Sequence, residues 1–98
     1  MSEEIVGDYE LKPIVNEIYK AFEDLEKAVL ERGIVRVEEE YAEGFWGYYL
    51  RGYNEKDEEI YTKAVVLGKG IPENDKFRLV AETLFYNVFE AFKQLYGV

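Results

Sequence analysis

Residues 45–53, FWGYYLRGY, put five aromatic side chains and two glycines into nine positions. Aromatic residues fill a pleated, half-buried surface well, and Gly47 and Gly52 weaken any helix placed there, so the stretch is predicted as a strand. Side chains alternate along a strand, which sends Trp46, Tyr48 and Leu50 to one face and Tyr49, Arg51 and Tyr53 to the other. The first face needs a cover, and the segments on either side are expected to supply it.

Upstream, residues 12–32 carry Ile14, Ile18, Phe22, Leu25 and Val29 at helical spacing, with Pro13 suited to the first turn and Gly33 to the left-handed position after the last. Glu23 with Lys27, Lys20 with Asp24 and Lys27 with Glu31 form a solvated outer face of charges four apart. Residues 34–42 are predicted as a strand joined to the aromatic one by Glu43-Gly44, a tight hairpin turn. Pairing residue 42 with 45 places Val35, Val37 and Tyr41 on the face of Trp46, Tyr48 and Leu50. It also sets Arg36 opposite Arg51 on the outer face, an unfavourable pair unless Glu38, Glu40 or a partner's carboxylate compensates.

After NEKDEE, residues 60–67 form a third strand. A five-residue loop directs Ile60, Thr62, Ala64 and Val66 inward and leaves Lys63 outside; a four-residue loop would instead bury Tyr61, Val65 and Leu67. The first facing is preferred. GKGIPEND is a connection in which Asn74 or Asp75 caps a second helix starting near Lys76. That helix has one stripe of Phe77, Val80, Ala81, Leu84, Val88, Phe92 and Leu95 and an adjoining one of Phe85, Phe89 and Tyr96. The sheet face and the first helix are expected to absorb this wide arc, with a protein-binding groove as the alternative.

The 98 residues therefore read as a single α+β domain, a three-stranded antiparallel sheet with two helices packed on one face in the order helix, strand, strand, strand, helix. The first ten residues are expected to be a frayed tail, apart from a short pairing or packing role for Ile5, Val6 and Tyr9. No run approaches a membrane span, and MSEEIVGDYE lacks the basic and apolar regions of a signal peptide, so a soluble, unprocessed protein is expected. Cysteine is absent, consistent with a reducing compartment and incompatible with disulfides or thiolate metal sites.

The chain has no His, its only Ser is Ser2, and Thr62 and Thr83 have no histidine base, so triads, Cys–His dyads and ordinary zinc sites are excluded. Glu38-Glu39-Glu40 and Asp57-Glu58-Glu59 are the remaining metal candidates. They lack an EF-hand's spacing, and on a strand Glu39 points away from Glu38 and Glu40, so a solvated acidic edge is the better reading. GKG at residues 68–70 lacks the glycines and the Ser or Thr of a phosphate-binding loop. No catalytic, cofactor or metal residue is assigned, and the protein is expected not to be an enzyme.

Charge is unevenly placed. Residues 1–59 hold seventeen acids and seven bases, net −10, and residues 60–98 hold four acids and five bases, net +1. Such a field repels nucleic acid and anionic membranes and steers the chain towards basic surfaces, or simply keeps it soluble. On the outer sheet face, Tyr49, Arg51, Tyr53, Tyr61 and Lys63 lie beside Arg36. Aromatics among cations resemble a stacking platform for single-stranded nucleic acid, but the net charge argues against that partner. Tyrosine and arginine equally make the anchors of protein interfaces, unless the face is only an amphipathic surface with solvated hydroxyls. Glu38, Glu40, Glu43, Tyr49, Arg51, Tyr53 and Tyr61 are taken as the protein-binding residues. A homodimer is expected as well, from unpaired strand edges and the wide apolar arc of the second helix.

In length, acidity, tyrosine abundance and element order, including EEYAEGFWGYYLRGY and an aromatic last helix, the chain resembles the small anti-CRISPR proteins of archaeal rod-shaped viruses that inhibit subtype I-D immunity. The resemblance implies a non-enzymatic, dimeric inhibitor in the host cytoplasm that binds the large Cas10-like subunit of the type I-D effector complex. It carries over no functional residue. A structural or regulatory homo-oligomer is the alternative class, and a carboxylate-only metalloenzyme the third.

Overall fold

The computed structural model describes residues 5–6 and 10–98. In chain order the elements are β1 (Ile5–Val6), α1 (Leu11–Arg32), β2 (Arg36–Tyr41), β3 (Trp46–Tyr53), β4 (Glu59–Gly68), β5 (Ile71–Pro72) and α2 (Asp75–Tyr96). Strands β2, β3 and β4 form an antiparallel sheet in that order, and both helices cover one face of it, as the alternation in the aromatic strand requires. No helix among the described residues is long and apolar enough to cross a membrane. The expected fraying of the first ten residues lies largely outside the described residues, and Ile5–Val6 takes the short pairing role allowed for it, in parallel with Ile71–Pro72 as a second, two-stranded sheet.

Helix α1 starts within the first turn that Pro13 marks and ends at Gly33, whose φ of 70° is the left-handed conformation glycine adopts without a Cβ penalty. Its buried stripe is Ile14, Ile18, Ala21, Phe22, Leu25 and Ala28. None of the three predicted ion pairs on its outer face forms; the one helical pair among the described residues is Glu90–Lys93 on α2, at 3.9 Å. At the start of α2, Asn74 Oδ1 accepts from the N–H groups of Lys76 (2.9 Å) and Phe77 (3.1 Å), so of the two candidate caps in the sequence it is Asn74 and not Asp75 that serves.

The β2–β3 register differs from the predicted one by two residues. Ala42 N–H donates to Gly47 C=O at 2.9 Å, so the chain reverses through residues 43–46 and not through Glu43-Gly44 alone. Trp46 explains the shift. It is drawn past the end of β2 to pair with Gly68 on β4, its ring packs 6.4 Å from Phe77, and its Nε1–H donates to Glu82 on α2 at 2.8 Å. A slip of two preserves the side-chain parity, so Val37, Trp46, Tyr48 and Leu50 are buried as expected. Val35 is exposed beyond the strand, and Tyr41 is 44 % exposed at the sheet edge, its hydroxyl on Glu82 at 2.8 Å. The same slip removes the predicted clash: Arg36 stands opposite Tyr53, and Arg51 opposite Glu38.

Strand β4 faces the other way from the preferred prediction. The loop has the five residues assumed, since Tyr53 pairs with Glu59, but the next pair is Gly52 with Tyr61. Ile60 is thus one extra residue, a bulge, and a shift of one flips every later side chain. Tyr61, Val65 and Leu67 are buried, while Thr62, Ala64 and Val66 are exposed. Asn54 holds the turn, its Oδ1 accepting from Lys56 and Glu58 N–H (2.9 and 3.0 Å), with Asp57 at φ 64° in the left-handed region.

The core is aromatic. Tyr48 and Phe85 stack with centroids 3.8 Å apart and planes 2° from parallel, and Phe22 lies 5.6 Å from Phe85, 6.4 Å from Phe89 and 5.6 Å from Phe92. The buried stripe of α2 is therefore Ala81, Phe85, Phe89 and Phe92. It draws Ala81 and Phe92 from the first predicted stripe and Phe85 and Phe89 from the adjoining one; of the remaining first-stripe residues, Phe77, Leu84 and Val88 are half-buried, and Val80 and Leu95 remain largely exposed.

Candidate functional site

The uncovered face of the sheet is built by period-two alternation. From β2 come Arg36, Glu38 and Glu40, from β3 Tyr49, Arg51 and Tyr53, and from β4 Thr62 and Ala64, with Asp57 and Glu59 at the β3–β4 turn. Arg36 bridges Glu38 and Asp57, the latter at 2.5 Å. Arg51 bridges Glu40 at 2.7 Å and Glu59 at 3.3 Å, and Thr62 donates to the same Glu59 carboxylate. Each guanidinium also lies on a ring, Arg36 4.0 Å from the Tyr53 centroid and Arg51 5.4 Å from that of Tyr49.

The electrostatics follow from this lattice. The hydrogen bond to Asp57 raises the pKa of Arg36 and that to Glu40 raises the pKa of Arg51, while burial followed by Glu38 and Glu59 pushes the Tyr53 phenol up. These pairs are exposed and screened by solvent, so they add little to stability. Their larger effect is geometric: four carboxylates and two guanidiniums hold two tyrosine rings in fixed positions. Towards the hairpin end the face turns apolar, with Phe45 edge-on to Tyr49 at 5.5 Å beside exposed Val66.

Five of the seven predicted binding residues, Glu38, Glu40, Tyr49, Arg51 and Tyr53, are brought together here. Glu43 is exposed on the hairpin turn, beside a hollow of about 260 Å³ that Lys69 also lines. Tyr61 is not part of the face. The Ile60 bulge turns it inward, where it is buried and its hydroxyl donates to Asp24 of α1 at 2.5 Å. Lys63 leaves with it, standing opposite Leu50 on the helix-covered side. Asp57 and Glu59, unforeseen as members of the site, belong to it because the turn folds them back onto Arg36 and Arg51; the only sequence signal was their place in the acidic NEKDEE loop.

Comparison with protein-family models, with curated proteins and with solved structures finds no match. The chemistry of the open face must carry the functional argument. Among the described residues, no three His, Cys, Asp or Glu converge as a metal site would need. What the face offers is ordered aromatic rings, a surplus of carboxylates and, among the described residues, no covering element, which suits docking of a macromolecule with a basic, partly apolar surface.

Proposed function

We propose that this chain is a non-enzymatic binding protein that captures a basic protein partner on the open face of its sheet. The observation that carries the proposal is the ion-pair lattice of Arg36, Arg51, Glu38, Glu40, Asp57 and Glu59, which orders Tyr49 and Tyr53 before any partner arrives. Pre-ordered aromatic anchors lose little side-chain entropy on binding, and the net −10 of residues 1–59 accelerates encounter with a positive surface. In keeping with the anti-CRISPR resemblance, the partner is the large Cas10-like subunit of a type I-D effector complex in the host cytoplasm. Stoichiometric blocking of a groove meant for nucleic acid needs no catalysis.

Association kinetics against that subunit at several salt concentrations test the proposal. The on-rate should fall as salt rises, because the field is screened over a Debye length of about 8 Å at physiological ionic strength. Changing Glu38, Glu40 and Glu43 together to Gln should lower it by roughly three- to tenfold. Tyr49→Ala or Tyr53→Ala should act on dissociation, by about tenfold or more. A salt-independent on-rate that ignores the glutamate changes removes electrostatic capture from consideration.

A second reading, self-association, is favoured by Val80 and Leu95 of α2, 53 % and 76 % exposed on the same helical flank as half-buried Leu84 and Val88. Sedimentation of a homodimer is the expected result. A species of 11.5 kDa at high micromolar concentration would count against it.

A further inference from the structure

Strand β2 is an edge of its sheet, with β3 on one side and no strand on the other among the described residues. In an antiparallel ladder the residues alternate between bonding the neighbour and pointing away from it. Since Ala42 N–H bonds Gly47 C=O, the same parity turns the main chains of Glu40, Glu38 and Arg36 towards β3. The N–H and C=O groups of Val37, Glu39 and Tyr41 therefore point outward from the sheet.

Beside that edge runs a groove of about 270 Å³ between β2 and α2, lined by Val37, Glu39, Tyr86, Phe89, Glu90 and Lys93 among others. The carboxylates differ in what they are free to do. Glu38 and Glu40 are held by Arg36 and Arg51, and Glu90 by Lys93, whereas Glu39 has no ion-pair or hydrogen-bond partner among the described residues. The opposite edge offers less: β4 is broken by register shifts at both ends, which disrupt strand addition, and it carries Lys63. The β2–β3 register has no such shift.

We propose that β2 accepts an extended basic segment of the partner as a fourth strand, the added main chain bonding Val37, Glu39 and Tyr41 and a Lys or Arg side chain reaching Glu39. Strand addition supplies affinity through the main chain and specificity through alternate side chains. Complementary charge selects this edge: β2 carries Glu38, Glu39 and Glu40, and of these Glu39 is the one with no ion-pair or hydrogen-bond partner among the described residues. The proposal rests on the capture of a basic partner argued above and specifies how one part of that partner is held.

The probe is a capped heptapeptide alternating arginine with threonine and valine, used with the full chain. Its binding should slow hydrogen exchange at the amides of Val37, Glu39 and Tyr41 by about tenfold or more and leave Glu38 and Glu40, already in the ladder, unchanged. The same peptide N-methylated on its β2-facing amides should bind about tenfold more weakly, the loss of two or so main-chain hydrogen bonds. Glu39→Gln, checked for unchanged far-UV circular dichroism, should weaken the unmodified peptide several-fold without altering which amides are protected. Equal binding of the methylated peptide, or binding without protection of those three amides, overturns strand addition while leaving electrostatic capture intact. Absence of peptide binding, with salt-dependent association to the large subunit retained, overturns it too. Protection of the three amides without any association to that subunit would instead defeat the choice of partner.

Discussion

Phe85→Ala should remove about 3–5 kcal/mol of folding free energy, a large part of the roughly 5–15 kcal/mol available to a chain of this size. Phe85 is fully buried, stacked on Tyr48 at 3.8 Å and flanked by Phe22 at 5.6 Å and Phe89 at 6.3 Å. Truncation loses the transfer energy of the ring, leaves a cavity that three aromatic neighbours cannot easily close, and abolishes the ring pairing itself. Thermal unfolding should shift down by roughly 15–30 °C. Leu79→Ala on the same helix is the control: Leu79 is 64 % exposed, so its removal should stay within about 0.5 kcal/mol. If the two substitutions cost the same, the Tyr48–Phe85 stack is not the centre of the core.

That stack also marks where the sequence stops being legible. Helical spacing in α2 yields two adjoining apolar stripes, and periodicity alone cannot rank them. Contact with Tyr48 does, rotating Phe85 and Phe89 inward and leaving Val80 and Leu95 outside. The β2–β3 face assignment survived a register error because a slip of two conserves parity. The β4 assignment did not survive the single-residue bulge at Ile60, although the loop length was right. Bulges have no reliable signature in one sequence, and this one moved Tyr61 from the candidate interface into the core.

Gly47 held a clue that its composition alone did not reveal. A Cβ there would be driven into the Val65 carbonyl oxygen and would lie 2.8 Å from the Phe45 ring, so the close approach of β4 depends on its being glycine. The outer face was legible in outline because alternation from Trp46 fixes Tyr49, Arg51 and Tyr53 as neighbours. Its ion-pair lattice was not, since Asp57 and Glu59 reach it through a turn whose geometry depends on Asn54 and on a left-handed Asp57.

The alkaline limit of the fold should lie between the ordinary tyrosine pKa and about pH 12. Burial, followed by the charges of Glu82, Tyr41 and Glu39, pushes the Tyr48 phenol up; burial, then the hydrogen bond to Asp24, does the same for Tyr61. Tyr41, more exposed, is pushed up to about 12 by burial and by its bond to Glu82. In each case the fold favours the neutral phenol, so this stabilisation is fully present below pH 10 and is lost as pH rises through the folded-state pKa. Above 10 the unfolded chain releases protons that the folded one retains, and stability declines by about 1.4 kcal/mol per pH unit for each buried tyrosine. Tyr48 and Tyr61 act in the same direction, so stability should fall steeply above the ordinary tyrosine pKa. Tyrosinate absorbance and far-UV circular dichroism, followed together from about pH 8 to about 13, should show a late, cooperative rise in tyrosinate coincident with loss of secondary structure. Tyr41→Phe should leave that step nearly in place, because Tyr41 is 44 % exposed and solvent screens its contribution. A single non-cooperative titration of all nine tyrosines near pH 10, with secondary structure retained, would contradict the burial of Tyr48 and Tyr61. Because Tyr61 faces inward only through the Ile60 bulge, the late step also reports on the strand facing that decides which residues the open sheet presents to a partner.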